Sequence, residues 1–261
     1  MDLQKILLDT KDIALKAGCY MLERMNDIKS LDFKNGDFAN LVTDVDKASE
    51  KMIVEYLQSK YPEFSVLSEE GANYLGDNSY KWIIDPIDGT TNFVHGFPFF
   101  CVSIGLEYKG RIVLGVIYNP SSKELFSAIE NRGSFLNDKI IKVSKNSSLK
   151  TALIATGFQN NLCDESKVLD MILELSKETS SLRRTGSSAL NLCYIACGRF
   201  DGYWEKGLSP WDSAAGLLIL QEAGGKITNY ASEDYDYYQS DILATNGLIH
   251  AEIQSIIRRH L

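Results

Sequence analysis

The chain has 261 residues, with 27 Lys plus Arg against 35 Asp plus Glu and a formal charge of −8. That balance argues against a general nucleic-acid binder, whose footprint is a basic patch. With 44% hydrophobic residues, 24% charged residues and 5 Pro, the composition is that of a folded globule, not of a disordered, collagenous or disulfide-stapled chain. The length allows one large domain or two smaller ones.

No stretch approaches the roughly 20 consecutive apolar residues of a membrane span. Residues 1–12 mix charges with Leu and Ile where a signal peptide would carry an apolar run, so a cytoplasmic protein is expected. The five cysteines, Cys19, Cys101, Cys163, Cys193 and Cys197, are scattered and contain no C-x-x-C pair. They read as reduced, mostly buried thiols. Three dispersed histidines, His95, His250 and His260, do not make a metal site, so any metal must be held by oxygen.

In chain order, apolar residues recur at three- and four-residue steps over 3–25 and again over 46–59, predicting amphipathic helices. Short apolar runs at 64–67 and 82–84 read as buried strands. From 99 to 143 the runs FFCVSIGLEY, RIVLGVIY and ELFSAIE are punctuated by Lys109-Gly110, Asn119-Pro120 and Asn131-Arg132-Gly133. That spacing predicts an antiparallel meander. Beyond the polar passage 145–150, a candidate subdomain boundary, strand and helix alternate: a strand at 152–157, helices near 164–178 and 187–197, a strand near 200–204, a helix near 212–223, a strand at 242–245 and a last helix. The acidic and aromatic run 233–238 reads as a solvated loop.

The sharpest local signal is WIIDPIDGTTNF at 82–93. A strand delivers Asp85 at its end, Pro86 stops it, Asp88 follows one turn later, and Gly89 and Thr90 open a helix. Carboxylates that close repel one another unless a cation sits between them, and the N–H groups of Gly89 and Thr90 would form a phosphate cradle beside it. Simple helix capping by Asp85 and Asp88 stays open on this string alone. Three further acidic features accompany it: Ser68-Glu69-Glu70-Gly71 closing a strand, Val42-Thr43-Asp44-Val45-Asp46 before a helix, and Trp211-Asp212 opening one.

In this order the features resemble the inositol monophosphatase family of Mg²⁺-dependent, lithium-sensitive phosphatases. The resemblance runs from Lys34 to Asn246 and rests on WIIDPIDGTTNFVHGFPFF at 82–100 and PWDSAAGLLILQEAGG at 210–225. NLVTDVD at 40–46, SEEG at 68–71 and RRTGSSALNLCYIACGRFDGYWEKG at 183–207 support it. It implies an α/β fold, an α/β/α/β/α layered sandwich forming a single phosphatase domain over 1–261. Within it, a subdomain at 1–145 would carry most metal ligands, and one at 146–261 would carry Asp212 and the substrate residues.

The resemblance further implies two or three Mg²⁺ ions. Glu69, Asp85 and the carbonyl of Ile87 would hold the first, and Asp85, Asp88 and Asp212 the second, with Glu69 helping a third through water. Thr90 would bind the attacking water and Asp46 would hold Thr90. Metal binding lowers the pKa of water, so no histidine base is needed. Glu205 would accept hydrogen bonds from sugar or cyclitol hydroxyls, while Gly89, Thr90, Gly186, Ser187, Ser188 and Asp212 would line the substrate pocket. Ser187 and Ser188 also read as helix caps. Lys34 belongs to a segment used near the site. Arg183 and Arg184 would meet phosphate, a second subunit or solvent, and His95 is assigned packing or loop hydrogen bonding.

The implied function is hydrolysis of myo-inositol 1-phosphate or similar small polyol and sugar phosphates by a homodimer. Relatives with the same signature hydrolyse fructose 1,6-bisphosphate, NADP or 3′-phosphoadenosine nucleotides. Specificity would come from Glu205, the 186–188 segment and the 157–165 loop. The alternative from another class is a regulatory partner of the transcription or RNA-processing machinery.

Overall fold

In the computed structural model, which describes residues 2–33, 41–158 and 166–261, the amphipathic N-terminal segment forms helix α1 (Leu3–Arg24). Asp2 caps it, accepting from the Gln4 N–H at 3.0 Å, and Ile6, Ile13, Ala17 and Met21 recur along its buried face. Strands β1 (Leu31–Phe33) and β2 (Leu41–Thr43) pair antiparallel, and β2 runs into α2 (Asp44–Lys60).

Next come β3 (Phe64–Ser68), β4 (Asn73–Tyr74), β5 (Asp77–Asp88), α3 (Thr90–Val94), β6 (Cys101–Tyr108), β7 (Arg111–Asn119), β8 (Glu124–Ile129), β9 (Ser134–Leu136) and β10 (Lys139–Ile140). They build a sheet of order β10-β9-β8-β7-β6-β5-β3-β4, in which β6 to β10 form the expected meander, β5 adds to it antiparallel to β6, and β3 lies parallel to β5. The second part contains β11 (Leu153–Thr156), α4 (Ser166–Glu178), β12 (Ser181–Arg184), α5 (Ser188–Ala196), β13 (Gly202–Lys206), α6 (Pro210–Glu222), β14 (Lys226–Thr228), β15 (Asp241–Thr245) and α7 (His250–Arg258). Its sheet has the order β12-β11-β13-β15-β14.

Strand alternation assigns the layers. Trp82 and Ile84 of β5 pack with Ile13, Met21, Ile53 and Leu57 from α1 and α2, whereas Ile83 between them faces Leu192 and Leu218 from α5 and α6. In the second sheet Tyr203 and Ala244 face that same central helix pair, while Trp204 and Leu243 face Met171, Leu175, Ile253 and Ile257 of α4 and α7. The result is the α/β/α/β/α sandwich. Both sheets are covered on both faces, which is why their strands read as continuous apolar runs rather than alternating ones. The middle helices are apolar all round for the same reason: α6 is buried from Ser213 to Leu220.

Several elements differ from expectation. β13 starts at Gly202, so Glu205 lies within a strand rather than after one. The short strands β1, β2, β4, β12 and β14 have too few residues to show a period. The 233–238 run is a loop that is only partly solvated: Glu233, Asp234, Asp236 and Tyr238 are exposed, but Tyr235 and Tyr237 are buried, the Tyr235 hydroxyl lies 3.0 Å from Ser213 Oγ, and the Tyr238 hydroxyl donates to Glu107 Oε2 at 3.0 Å. Cys101 and Cys193 are buried, Cys197 is half-buried and Cys19 is exposed, while Cys163 lies outside the described residues. Among the described residues, no helix is long and apolar enough to cross a membrane.

Candidate active site

Asp85 and Asp88 both belong to β5, where residues three apart in a regular strand would point to opposite faces. The strand does not stop at Pro86; it runs on to Asp88, with its register against β6 slipping between Asp85 and Asp88. Proline, lacking an N–H, is tolerated where the ladder is interrupted. The Ile87 N–H turns back to Asp85 Oδ1 at 3.0 Å. The slip lets both carboxylates converge, and Asp212 arrives from the first turn of α6, its Oδ2 accepting from the Ser209 N–H at 2.7 Å. One carboxylate oxygen from each of Asp85, Asp88 and Asp212 lies within 4.8 Å of the others.

This cluster is short of positive charge. Burial, then the charges of Glu69, Asp88 and Asp212, hold Asp85 well above the usual carboxylate range. Burial, then Glu69 and Asp88, do the same to Asp212. Burial pushes Asp88 up to about 6, although hydrogen bonds from Ser187, Ala189 and Ser188 pull the other way. None of the ion pairs among the described residues includes these three aspartates. Glu69 follows the last residue of β3, and its N–H donates to Ile84 O at 3.2 Å. Hard carboxylate oxygens that repel one another in a buried site fit Mg²⁺, which relieves the repulsion when bound.

Thr90 stands beside the cluster. Its hydroxyl lies 3.0 Å from Asp46 Oδ1 and 3.0 Å from Ile87 O, and its single proton serves one acceptor at a time. Asp46, fully buried, is fixed by the capping box of α2: its Oδ2 accepts from the Thr43 N–H at 2.8 Å and the Thr43 hydroxyl at 2.5 Å. Asp44 and Asp46 therefore sit inside the first turn of α2 rather than ahead of it. Gly89 has a left-handed φ of 92°, and α3 is only five residues long. A cradle at 89–90 consequently rests on the turn itself and not on a helix dipole.

Asp88 also meets α5. Its Oδ2 accepts from Ser187 Oγ at 2.5 Å and the Ala189 N–H at 2.9 Å, and its Oδ1 from the Ser188 N–H at 3.3 Å. Ser187 is at the same time the N-cap of α5, accepting from the Leu190 N–H at 3.3 Å. The cap reading of that serine holds, and the same hydroxyl reaches the carboxylate cluster through Asp88. Gly186 is packed against Asn92, whose Nδ2 donates to Phe99 O at 2.7 Å and Thr185 O at 2.8 Å.

On the far side of Ser188 stands Glu205, half-buried on β13. Its Oε2 accepts from the Tyr203 hydroxyl and from Ser188 Oγ, the latter at 3.3 Å. Burial pushes Glu205 up to about 7 against these donors and the nearby Arg184. Arg184 lies 4.4 Å above the Phe158 ring and donates to Phe158 O at 3.1 Å. Arg183 is exposed and bonds locally to Ser181 Oγ and Leu182 O.

The structure thus brings Asp46, Asp85, Ile87, Asp88, Gly89, Thr90, Gly186, Ser187, Ser188, Glu205 and Asp212 to one place, with Glu69 close enough to repel the carboxylates. Lys34 and the 159–165 part of the predicted specificity loop lie outside the described residues. His95 leaves its ring exposed and caps α3 through its backbone N–H, which donates to Thr91 O at 3.2 Å, so loop hydrogen bonding holds for it and packing does not. Sequence reasoning missed Tyr203, although it stands two residues before Glu205 in a strand and so shares its face. Asn92 carried no signal, because the backbone carbonyls it meets are set by the fold.

Comparison with known proteins points to one family. The profile described as "Inositol monophosphatase family" matches residues 2–261. An inositol-1-monophosphatase from Synechocystis is 41% identical over 262 residues, covering 98% of this chain and 90% of that protein. The Nus factor SuhB of Pseudomonas aeruginosa is 38% identical, covering 95% of this chain and 94% of its own. Among solved structures, the extragenic suppressor protein SuhB of Bartonella henselae superposes with a TM-score of 0.94 at 37% identity, covering 98% of this chain and 100% of that one.

Proposed function

The chain belongs to the inositol monophosphatase family, and from that premise we propose that it is a Mg²⁺-dependent phosphomonoesterase of small polyol phosphates, myo-inositol 1-phosphate foremost. The observation that carries this reading is the convergence of Asp85, Asp88 and Asp212 beside the Thr90–Asp46 pair.

Glu69, Asp85, Asp88, Asp212 and the carbonyl of Ile87 would hold two or three Mg²⁺ ions. When bound, Mg²⁺ supplies acidification of water and charge balance for the phosphoryl group. Thr90 would orient the attacking water with its hydroxyl, and Asp46, held in place by Thr43, would accept the proton that Thr90 passes on. Attack would be in line and direct, without a phospho-enzyme. Gly89, Gly186, Ser187 and Ser188 would bound the pocket between phosphate and polyol, and Glu205 would accept from ring hydroxyls.

Phosphate release from inositol 1-phosphate, fructose 1,6-bisphosphate, NADP and 3′-phosphoadenosine 5′-phosphate, with Mg²⁺ and then with chelator, tests the reading. Mg²⁺-dependent turnover strongest on inositol 1-phosphate is expected, and no hydrolysis of any of them overturns it. Preference for another member of the panel replaces the substrate and keeps the chemistry. A homodimer is the proposed assembly, to be measured by sedimentation equilibrium.

The Pseudomonas relative's name supports a second reading, a partner role in transcription or RNA processing. In cells lacking this chain, an Asp212→Asn variant without hydrolysis would still restore that role; failure to do so would count against it.

A further inference from the structure

Glu205 is held by more than its own strand. Tyr203 and Glu205 occupy the same face of β13, and the buried Tyr203 phenol donates to Glu205 Oε2. Ser188 Oγ donates to that same oxygen at 3.3 Å. Glu205 Oε1 has no hydrogen-bond partner among the described residues, so the carboxylate has one oxygen occupied within the protein and one free to accept.

A second, independent constraint comes from β11. The Thr156 hydroxyl at 3.0 Å and the Gly157 N–H at 3.4 Å both donate to Trp204 O, which draws Gly157 over Glu205. A Cβ on Gly157 would lie 2.0 Å from Glu205 Oε2, 2.2 Å from Cδ and 2.3 Å from Oε1. Only the missing side chain leaves room for the carboxylate in its present position.

We infer that Tyr203 and Gly157 are specificity-determining positioning residues: the phenol anchors one oxygen of Glu205 and the missing Cβ gives it space, so that Oε1 faces a substrate hydroxyl. The ligand class this selects is a phosphate ester carrying a hydroxyl group several atoms from phosphorus, as on a cyclitol or sugar ring. The inference rests on the polyol-phosphatase reading above. Tyr203 touches no reacting atom; it acts through Glu205.

The test compares the wild type with Tyr203→Phe, Gly157→Ala, Glu205→Gln and the Tyr203→Phe/Glu205→Gln double variant, all with Mg²⁺. The substrates are inositol 1-phosphate and 4-nitrophenyl phosphate, which has no ring hydroxyl. In Gly157→Ala the atom that must yield is the end of a flexible side chain, so the fold survives while the acceptor moves.

Each single variant is expected to lower the kcat/KM ratio of inositol 1-phosphate to 4-nitrophenyl phosphate about tenfold, equivalent to about 1.4 kcal/mol. The loss should enter mainly through KM. The double variant should lose no more than Glu205→Gln alone, because residues acting as one unit are not additive. An equal fall on both substrates, an unchanged ratio in both Tyr203→Phe and Gly157→Ala, or additive losses in the double variant would overturn the inference. Absence of any wild-type preference for inositol 1-phosphate would remove the substrate reading and this inference together. A preference kept by both variants would remove the inference alone.

Discussion

Asp88 touches both the carboxylate cluster and the N-terminus of α5, so Asp88→Asn separates a cation ligand from a helix cap. The change conserves shape. With the amide oxygen in the place of Oδ2, the bonds from Ser187 and Ala189 survive and the 3.3 Å bond from the Ser188 N–H is lost, a loss of about 1 kcal/mol. Against it stands the charge. The folded protein holds Asp88 at about 6 against an ordinary 3.8, so the native state binds the proton more tightly than the unfolded chain. The resulting destabilisation is absent below the unfolded value, grows as pH rises, and is complete above pH 6, where it reaches on the order of 3 kcal/mol.

In chelator at pH 7.5 the Asn variant should therefore be more stable than wild type by roughly 2 kcal/mol, about 4 °C in Tm for a domain of this size. Near pH 4 the difference should vanish or reverse. Millimolar Mg²⁺ should invert the order at pH 7.5, because wild type gains binding energy that the variant largely forgoes. Thermal melts over pH and Mg²⁺ read all three. A variant that is less stable than wild type in chelator at every pH, with no differential response to Mg²⁺, would make Asp88 a cap and refute the cluster argument.

Thr90→Ala should reduce kcat on the order of 10²-fold or more with little change in KM, while Thr90→Ser retains most activity, in steady-state assays with saturating Mg²⁺. Titration of Mg²⁺ against activity should show affinity falling as pH drops through about 6, where Asp88 takes up a proton that competes with the cation. His250 lies between Thr228 Oγ1 at 3.1 Å and Thr245 Oγ1 at 2.9 Å, with burial holding its pKa down to about 4. Its replacement by Ala should cost roughly 2–3 kcal/mol in urea denaturation while leaving KM unchanged. Because the unfolded chain protonates His250 more readily, wild-type stability from this group declines as pH falls below about 6.5.

Much of the fold was legible because the elements that build it are long and periodic. The helical repeat along α1 and α2, and the turn formers spaced through the meander, fall where the structure has them. The short strands β1, β2, β4, β12 and β14 were not legible, since a period needs several repeats to show. The tyrosines at 235 and 237 were misread because a local window cannot see that α6 and β6 offer a surface to cover them.

The site divides the same way. The residue types were set by sequence: carboxylates at strand ends and helix starts, a threonine after a glycine, a glutamate just past an apolar run. Their convergence was decided in three dimensions. A register slip at Pro86 turns Asp88 toward Asp85, α6 carries Asp212 to both from well over a hundred residues away, and Gly157 leaves room for a carboxylate on another strand. Local propensity acts within a few residues of chain, whereas repulsion among buried charges and the volume around Glu205 depend on distances through space that only the packed sheets and helices establish.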